Sequence, residues 1–428
     1  MKIGFQICRL TYFRYFNSII DESLSRNINT ICFHDYAQPK DGLKGYQFPN
    51  ISKAPEFLNG VPNFIAYKSS DNLQYLLEKN NIDIIFSLNP PNFIFDNYDK
   101  IKYPFWVIIQ NHADLFSYTI HDLNSADLII GMTEYWLEMS KKYYFWGNKN
   151  NGFQSIFDNI KKKTVLLGCP ELSSLKRLSD SNINKKYNIP ENKKIVLLLT
   201  HRLWRFSFRG ISLFDNGRLQ SRLHQILNIL CRSKLNYIRN LFINLNFKTF
   251  CKSILKFCEL NNAILIVKYR KKTWLPKYLR SWATLCIYDE SDYPPTLIEL
   301  LKISDLCIAT YQSMAVIESA GCKTPFLSML PSKTNHNVEN NLILKYRFFY
   351  DTSYQSLFNY PGVSYVIEPY KFIKDYKSIK ISDFKFDVKS GNNYLSNYIG
   401  NKYGEYDIGH KTLNVVLEKF ERKKIIYN

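Results

Sequence analysis

Residues 294–330, PPTLIELLKISDLCIATYQSMAVIESAGCKTPFLSML, limit the possible folds of this chain more than any other stretch. A helix-like block at 296–303 leads into a short apolar run at 305–309 that reads as a buried parallel strand. A polar turn, Thr310-Tyr311-Gln312-Ser313, precedes a small-residue helix at 314–321, and 326–329 is a second apolar run. Helix, strand, turn, helix, strand is the unit of a parallel α/β sheet. Anions bind at the turn between such a strand and helix, because free N–H groups and the positive end of the helix dipole meet there. Ser313 falls at the helix start, where its hydroxyl caps the helix or reaches a phosphate. Glu318 lies five residues on, roughly 7.5 Å along the axis, at a distance suited to a ribose diol. Spacing alone fits a plain cap and a solvated glutamate equally well.

The same alternation runs through the rest of the sequence. Strand-like runs at 3–8, 30–33, 82–86, 105–109, 127–131 and 164–167 are separated by helix-like blocks at 13–24, 72–79 and 134–144. A polar stretch, 171–193, containing Asn188-Ile189-Pro190, reads as a connection. A second alternating half starts with the run 194–200 and continues with 263–268 and 284–287. The expected architecture is two Rossmann-like, doubly wound parallel-sheet domains, 1–170 and 194–405, with a C-terminal helical tail at 406–428.

Composition matters mainly through charge and cysteine. The formal net charge is +20, and residues 201–280 carry 17 Lys and Arg against two acids, Asp215 and Glu259. Such a patch wants an anionic partner. Within it, about 203–256 reads as a basic helical insertion with Arg218, Arg222, Arg232, Lys234, Arg239 and Lys248 beside Leu, Ile and Phe at helical spacing. A stretch of this kind, here 218–256, lies on an anionic membrane surface or packs as ordinary helices on a core. There is no run of ~18 apolar residues, so no transmembrane helix is expected. The N-terminal run reads as a strand without a secretory leader. Nine cysteines, none in a CxxC pair, suit buried thiols in a reducing compartment, so a cytoplasmic location is expected. The aromatics are spread throughout without a recognition motif, so no nucleic-acid partner is expected.

Ser313, its turn and the helix to Gly321, with the exit Gly321-Cys322-Lys323-Thr324-Pro325, resemble the nucleotide-binding element of GT-B glycosyltransferases and their relatives. Those relatives are the non-hydrolysing UDP-N-acetylglucosamine 2-epimerases and the CDP-glycerol glycerophosphotransferases. In the epimerases a Ser followed five residues later by Glu holds diphosphate and ribose, a separation that Ser313 and Glu318 keep. Met314 and Ala315 stand where the epimerases have paired glycines. Thr200-His201-Arg202 is similar to the epimerases' "T-x-HR" passage, and Lys268-Tyr269-Arg270 ends a strand where the glycerophosphotransferases have a Lys.

The resemblance implies two similar halves facing a cleft, with the nucleotide on the second. Gln312, Ser313, Met314, Glu318, His201, Arg202, Lys268 and Arg270 would hold the nucleotide-sugar. On the acceptor side, His112 is the candidate base, and Asp114 orients it or acts itself. His34 with Asp35 is a lesser candidate. No acidic pair stands at a strand end, so no metal is expected, and the nucleotide-sugar is a substrate rather than a cofactor. The leading expectation is a metal-independent glycosyltransferase of bacterial surface-polysaccharide assembly, of the kind that builds capsule or lipopolysaccharide. Its acceptor would be a glycan or lipid-linked, at the inner face of the plasma membrane. A 2-epimerase and a glycerophosphotransferase are the alternatives.

Overall fold

The computed structural model describes residues 1–8, 12–36, 51–95, 104–110, 123–147, 153–190, 192–200, 247–269, 275–287, 295–310, 313–329, 354–401, 403–404 and 407–427. The chain divides into two compact units. One is chiefly Met1–Leu178 with Leu395–Asn428, the other Ser179–Asp289 with Leu297–Tyr394.

The first unit holds β1 (Lys2–Ile7), β2 (Asn29–Asp35), β3 (Asn63–Tyr67), β4 (Ile84–Ser87), β5 (Phe105–Ile109), β6 (Leu128–Gly131) and β7 (Thr164–Leu166). They form one parallel sheet in the order β3-β2-β1-β4-β5-β6-β7. The second unit holds β8 (Lys194–Leu199), β9 (Ala263–Lys268), β10 (Leu285–Ile287), β11 (Leu306–Ala309), β12 (Phe326–Met329) and β13 (Ser364–Ile367). Their order, β10-β9-β8-β11-β12-β13, is again all parallel. Each sheet winds outward from its first strand in both directions, so each has a switch point, β1/β4 and β8/β11. Two doubly wound parallel sheets are the fold class the alternation predicted. Central strands such as β5 and β11 are buried residue by residue, which is why they read as unbroken apolar runs.

Aspartates fix the amino edges. Asp83, Asp127 and Asp305 each precede a strand and accept the backbone N–H of Lys2, Trp106 and Ile195, at 2.7, 2.9 and 2.8 Å. Register is thereby set at the end away from the ligand side. Helix ends follow another repeat. Asn27, Asn81 and Asn188 adopt left-handed φ of 55°, 51° and 50°, and each is followed by Ile. The Ile N–H returns to the carbonyl of Ser23, Leu77 and Asn184 in turn, the closing bond of a Schellman stop. In this chain Asn does what glycine commonly does.

The Ile408–Tyr427 helix belongs to the first unit. Leu413 and Val416 are buried in the same core cluster as Phe5, Phe16 and Ile109, and Phe420 stacks edge-on to Phe105. The contact with the Phe13–Ser25 helix is close, since a Cβ on Gly409 would lie 2.5 Å from the Ser18 carbonyl. Residues 170–187, which overlap the stretch that reads as a connection, fold as a 3-10 helix, Pro170–Arg177, and a helix, Asp180–Tyr187. Of the basic insertion, residues 203–246 lie outside the described residues. From 247 on it forms the Phe247–Leu260 helix, which buries Phe250, Cys251, Ile254 and Phe257 against the second sheet. The apolar face of 247–256 is therefore committed to the core. Among the described residues no helix is long and apolar enough to cross a membrane.

Candidate functional site

In open parallel sheets ligands bind at the carboxyl ends of strands beside the switch point. In the second unit one row of paired residues marks that edge: Ile287, Lys268, Leu199, Ala309, Ser328 and Val366. Strand spacing puts Lys268 roughly 10 Å from Ala309, with β8 between them. One residue past the row stand Thr200 and Thr310, on the two strands that flank the switch. Thr310 stays tied to the sheet, its N–H and Oγ1 at 3.3 and 3.5 Å from the Leu199 carbonyl. Thr200 Oγ1 is buried and has no hydrogen-bond partner among the described residues.

Beyond Thr310 the chain enters the Ala315–Gly321 helix. Ser313, 8% exposed, accepts the Ala315 N–H on its Oγ at 3.3 Å, and its carbonyl takes the Val316 N–H at 3.2 Å. The capping contact leaves the hydroxyl proton of Ser313 available to an anion. Glu318 is 2% exposed, so it is not the solvated helix residue that spacing alone allowed. Its negative charge reaches Cys307 and Cys322, whose thiols are pushed well up, first by burial and then by that charge. Met314 precedes the helix in a helical conformation (φ −64°, ψ −9°). The helix closes with Lys323 at φ 61°, its N–H on Ala320 and that of Thr324 on Ser319, before Pro325 admits β12.

The structure therefore gathers Ser313, Met314 and Glu318 at the switch point and sets Lys268 on the neighbouring strand end. Gln312, His201, Arg202, Arg270, His112 and Asp114 lie outside the described residues.

At the corresponding edge of the first unit, sequence reasoning missed Gln6, Tyr67 and Ser87. Gln6 Nε2 donates to Tyr67 Oη at 3.1 Å, and Ser87 Oγ lies 2.8 Å from Gln6 Oε1 and receives the Asn89 N–H at 2.7 Å. Asn89 Nδ2 reaches Cys8 Sγ at 3.3 Å, and Trp106 Nε1 bonds the Asn89 carbonyl at 3.1 Å. Burial, then the neighbouring Cys8 and Asp35, hold the Tyr67 hydroxyl well above its usual pKa, so it stays a neutral donor. On the other face of β2, His34 is 1% exposed. Its Nδ1 lies 3.2 Å from the Ile7 carbonyl, so that nitrogen carries the proton, and Nε2 is buried without a partner among the described residues. Burial lowers the His34 pKa, partly offset by the Ile7 bond and the Asp35 charge.

No protein-family model and no curated protein matches the chain. Solved structures do. The wall teichoic acid polymerase TagF superposes with a TM-score of 0.56 at 13% identity, over 99% of this chain and 89% of that one. A TagF variant soaked with CDPG gives 0.57 at 13% identity, over 99% and 90%. A protein from Listeria monocytogenes named as a candidate UDP-N-acetylglucosamine 2-epimerase gives 0.52 at 10% identity, over 98% and 97%. At these identities the likeness is one of fold. With two parallel sheets of matching winding, the chain carries the GT-B fold.

Proposed function

We propose that the protein is a glycosyltransferase that moves a sugar from a nucleoside-diphosphate donor to a glycan or lipid-linked acceptor at the cell surface's cytoplasmic side. The observation that supports this most is the convergence of Ser313, Met314 and Glu318 on the β8/β11 switch point, with Lys268 on the next strand end. The Ser313 hydroxyl and the amides at the helix start take the diphosphate. Glu318 accepts the ribose hydroxyls, and Lys268 with Arg202 and Arg270 offsets charge on the leaving diphosphate, the task that falls to cations where no metal acts. Gln312 and His201 complete the donor contacts. His112, oriented by Asp114, takes the proton from the acceptor hydroxyl. The basic 218–246 stretch brings the enzyme to an anionic membrane surface.

A second reading, transfer of a polyol phosphate from a CDP-linked donor, is favoured by the likeness to a TagF variant soaked with CDPG. The Ser313-to-Glu318 spacing keeps 2-epimerisation in play as a third outcome. Thermal denaturation with UDP-, GDP- and CDP-linked donors finds the base, since a ligand that binds only the folded state raises the midpoint. Free nucleotide released on adding acceptor supports transfer. A CDP-linked polyol as the sole stabilising donor supports the second reading, and interconversion of the donor sugar supports the third. No stabilisation by any donor discards all three.

A further inference from the structure

Two threonines end the strands that flank the second switch point, and they behave differently. Thr310 turns its hydroxyl back onto the Leu199 carbonyl, which also takes the Thr310 N–H. Thr200 follows Leu199 directly, is 7% exposed, and its Oγ1 has no partner among the described residues. The carbonyl nearest in sequence is thus already shared by the neighbouring strand. Folded proteins leave few buried hydroxyls unbonded, because each has given up water for nothing. Where one persists, a ligand that supplies the missing bond is the first explanation to test. The position agrees, since this hydroxyl stands at the carboxyl end of β8, across the switch point from the turn that leads to Ser313.

We infer that Thr200 is a donor-binding residue whose hydroxyl gives its proton to a phosphate oxygen of a nucleoside diphosphate held at the Ser313 turn. The inference rests on the nucleotide reading of that site. Thr200 then bonds one side of the diphosphate and Ser313 the other, each hydroxyl keeping a proton free for an oxyanion. The desolvation of the Thr200 hydroxyl is carried by the empty protein and relieved on binding.

Thr200→Val separates a ligand-binding hydroxyl from a structural one, because the two side chains have nearly the same shape and only the oxygen is lost. With UDP, CDP and GDP as calorimetric probes, Thr200→Val should weaken whichever diphosphate the natural protein binds by about tenfold, the usual worth of a hydrogen bond to a charged group. It should leave binding of the parent nucleoside unchanged, and the melting midpoint of the ligand-free protein equal or higher. Thr200→Ser, which keeps the hydroxyl, should retain diphosphate affinity. Equal diphosphate affinity in Thr200→Val overturns the assignment, and so does a fall in its ligand-free midpoint, which would mark the hydroxyl as structural. A natural protein that binds none of the three diphosphates removes the nucleotide reading itself, and this inference with it.

Discussion

At the β1/β4 turn of the first sheet, Gln6, Tyr67, Ser87 and Asn89 bond to one another, whereas at the β8/β11 turn of the second the Thr200 hydroxyl has no partner among the described residues. The windings are the same, so topology does not account for the difference. Beside the first switch point the polar groups serve internal order, although His34 Nε2 at the end of β2 has no partner among the described residues: Ser87 bridges a side chain of β1 and the backbone after β4, and Trp106 fixes the Asn89 carbonyl from β5. The second edge keeps a donor in reserve beside a helix start. A closed network resists distortion, while an edge with an unmet donor gains from a ligand. Two copies of one architecture can thus differ in how fully the polar groups beside the switch point are bonded.

Removing what holds the first sheet should have the largest effect. Leu413 is fully buried in the core beneath β1, β4 and β5, although it comes from the C-terminal helix. Leu413→Ala should cost about 2–5 kcal/mol, the range for a buried Leu truncation. Urea unfolding followed by tryptophan fluorescence reads it. A midpoint that does not move would mean that the helix is an ornament on the first unit rather than part of its core. Next in size is Ser87→Ala, which strands Gln6 Oε1 and the Asn89 N–H and should cost about 1–3 kcal/mol. Thr200→Val, by contrast, should cost nothing in the absence of ligand. If both substitutions destabilise alike, the two edges do not differ in the way described.

The sequence showed the central strands and two of the four edge strands, β7 and β10, but not β3 or β13. β5 and β9 are shielded on both sides, so Phe105-Trp106-Val107-Ile108-Ile109 and Ala263 to Lys268 stand out as apolar runs. β3 and β13 close their sheets at an edge and are half-exposed, so Asn-Phe-Ile-Ala-Tyr67 and Ser-Tyr-Val-Ile367 lack that signal. A legible cue was passed over at the helix ends, where Asn-Ile recurs at 27–28, 81–82 and 188–189. Ser313 and Glu318 could be proposed from the sequence because their relation is a spacing within one turn and helix. The Gln6 network could not, because Gln6 and its partners lie 61 and 81 residues apart and meet only through strand register. A missing bond, as at Thr200, has no sequence signature at all.

A smaller effect is expected from Glu318→Gln. The change keeps the volume of a residue packed into the helix but replaces an acceptor-only carboxylate by an amide that can offer two ribose hydroxyls a single oxygen. Nucleotide affinity should fall about tenfold, ~1.4 kcal/mol, by calorimetry with the same diphosphate. Because Glu318 would read the ribose and Thr200 the phosphate, Glu318→Gln should weaken the parent nucleoside as much as the diphosphate. Equal affinity for both in the variant and the natural protein would separate Glu318 from the ligand.

The smallest effect belongs to the first unit and to protons. Burial sets the pKa of His34 below its ordinary 6.5. Between that lowered value and 6.5 the unfolded chain binds more protons than the native one, so stability rises with pH across this window and is lost on acidification. Denaturant midpoints at pH 7 and pH 5 should therefore draw apart more in the natural protein than in His34→Gln, whose amide donates to the Ile7 carbonyl without titrating. Equal losses in the two would show that the ring takes up its proton freely. Nε2 would then have found an acceptor on protonation, and the first edge would be less closed than its hydrogen bonds imply. Asp35, whose charge favours the protonated ring, sets the limit: Asp35→Asn should lower the His34 pKa further and widen the window toward acid.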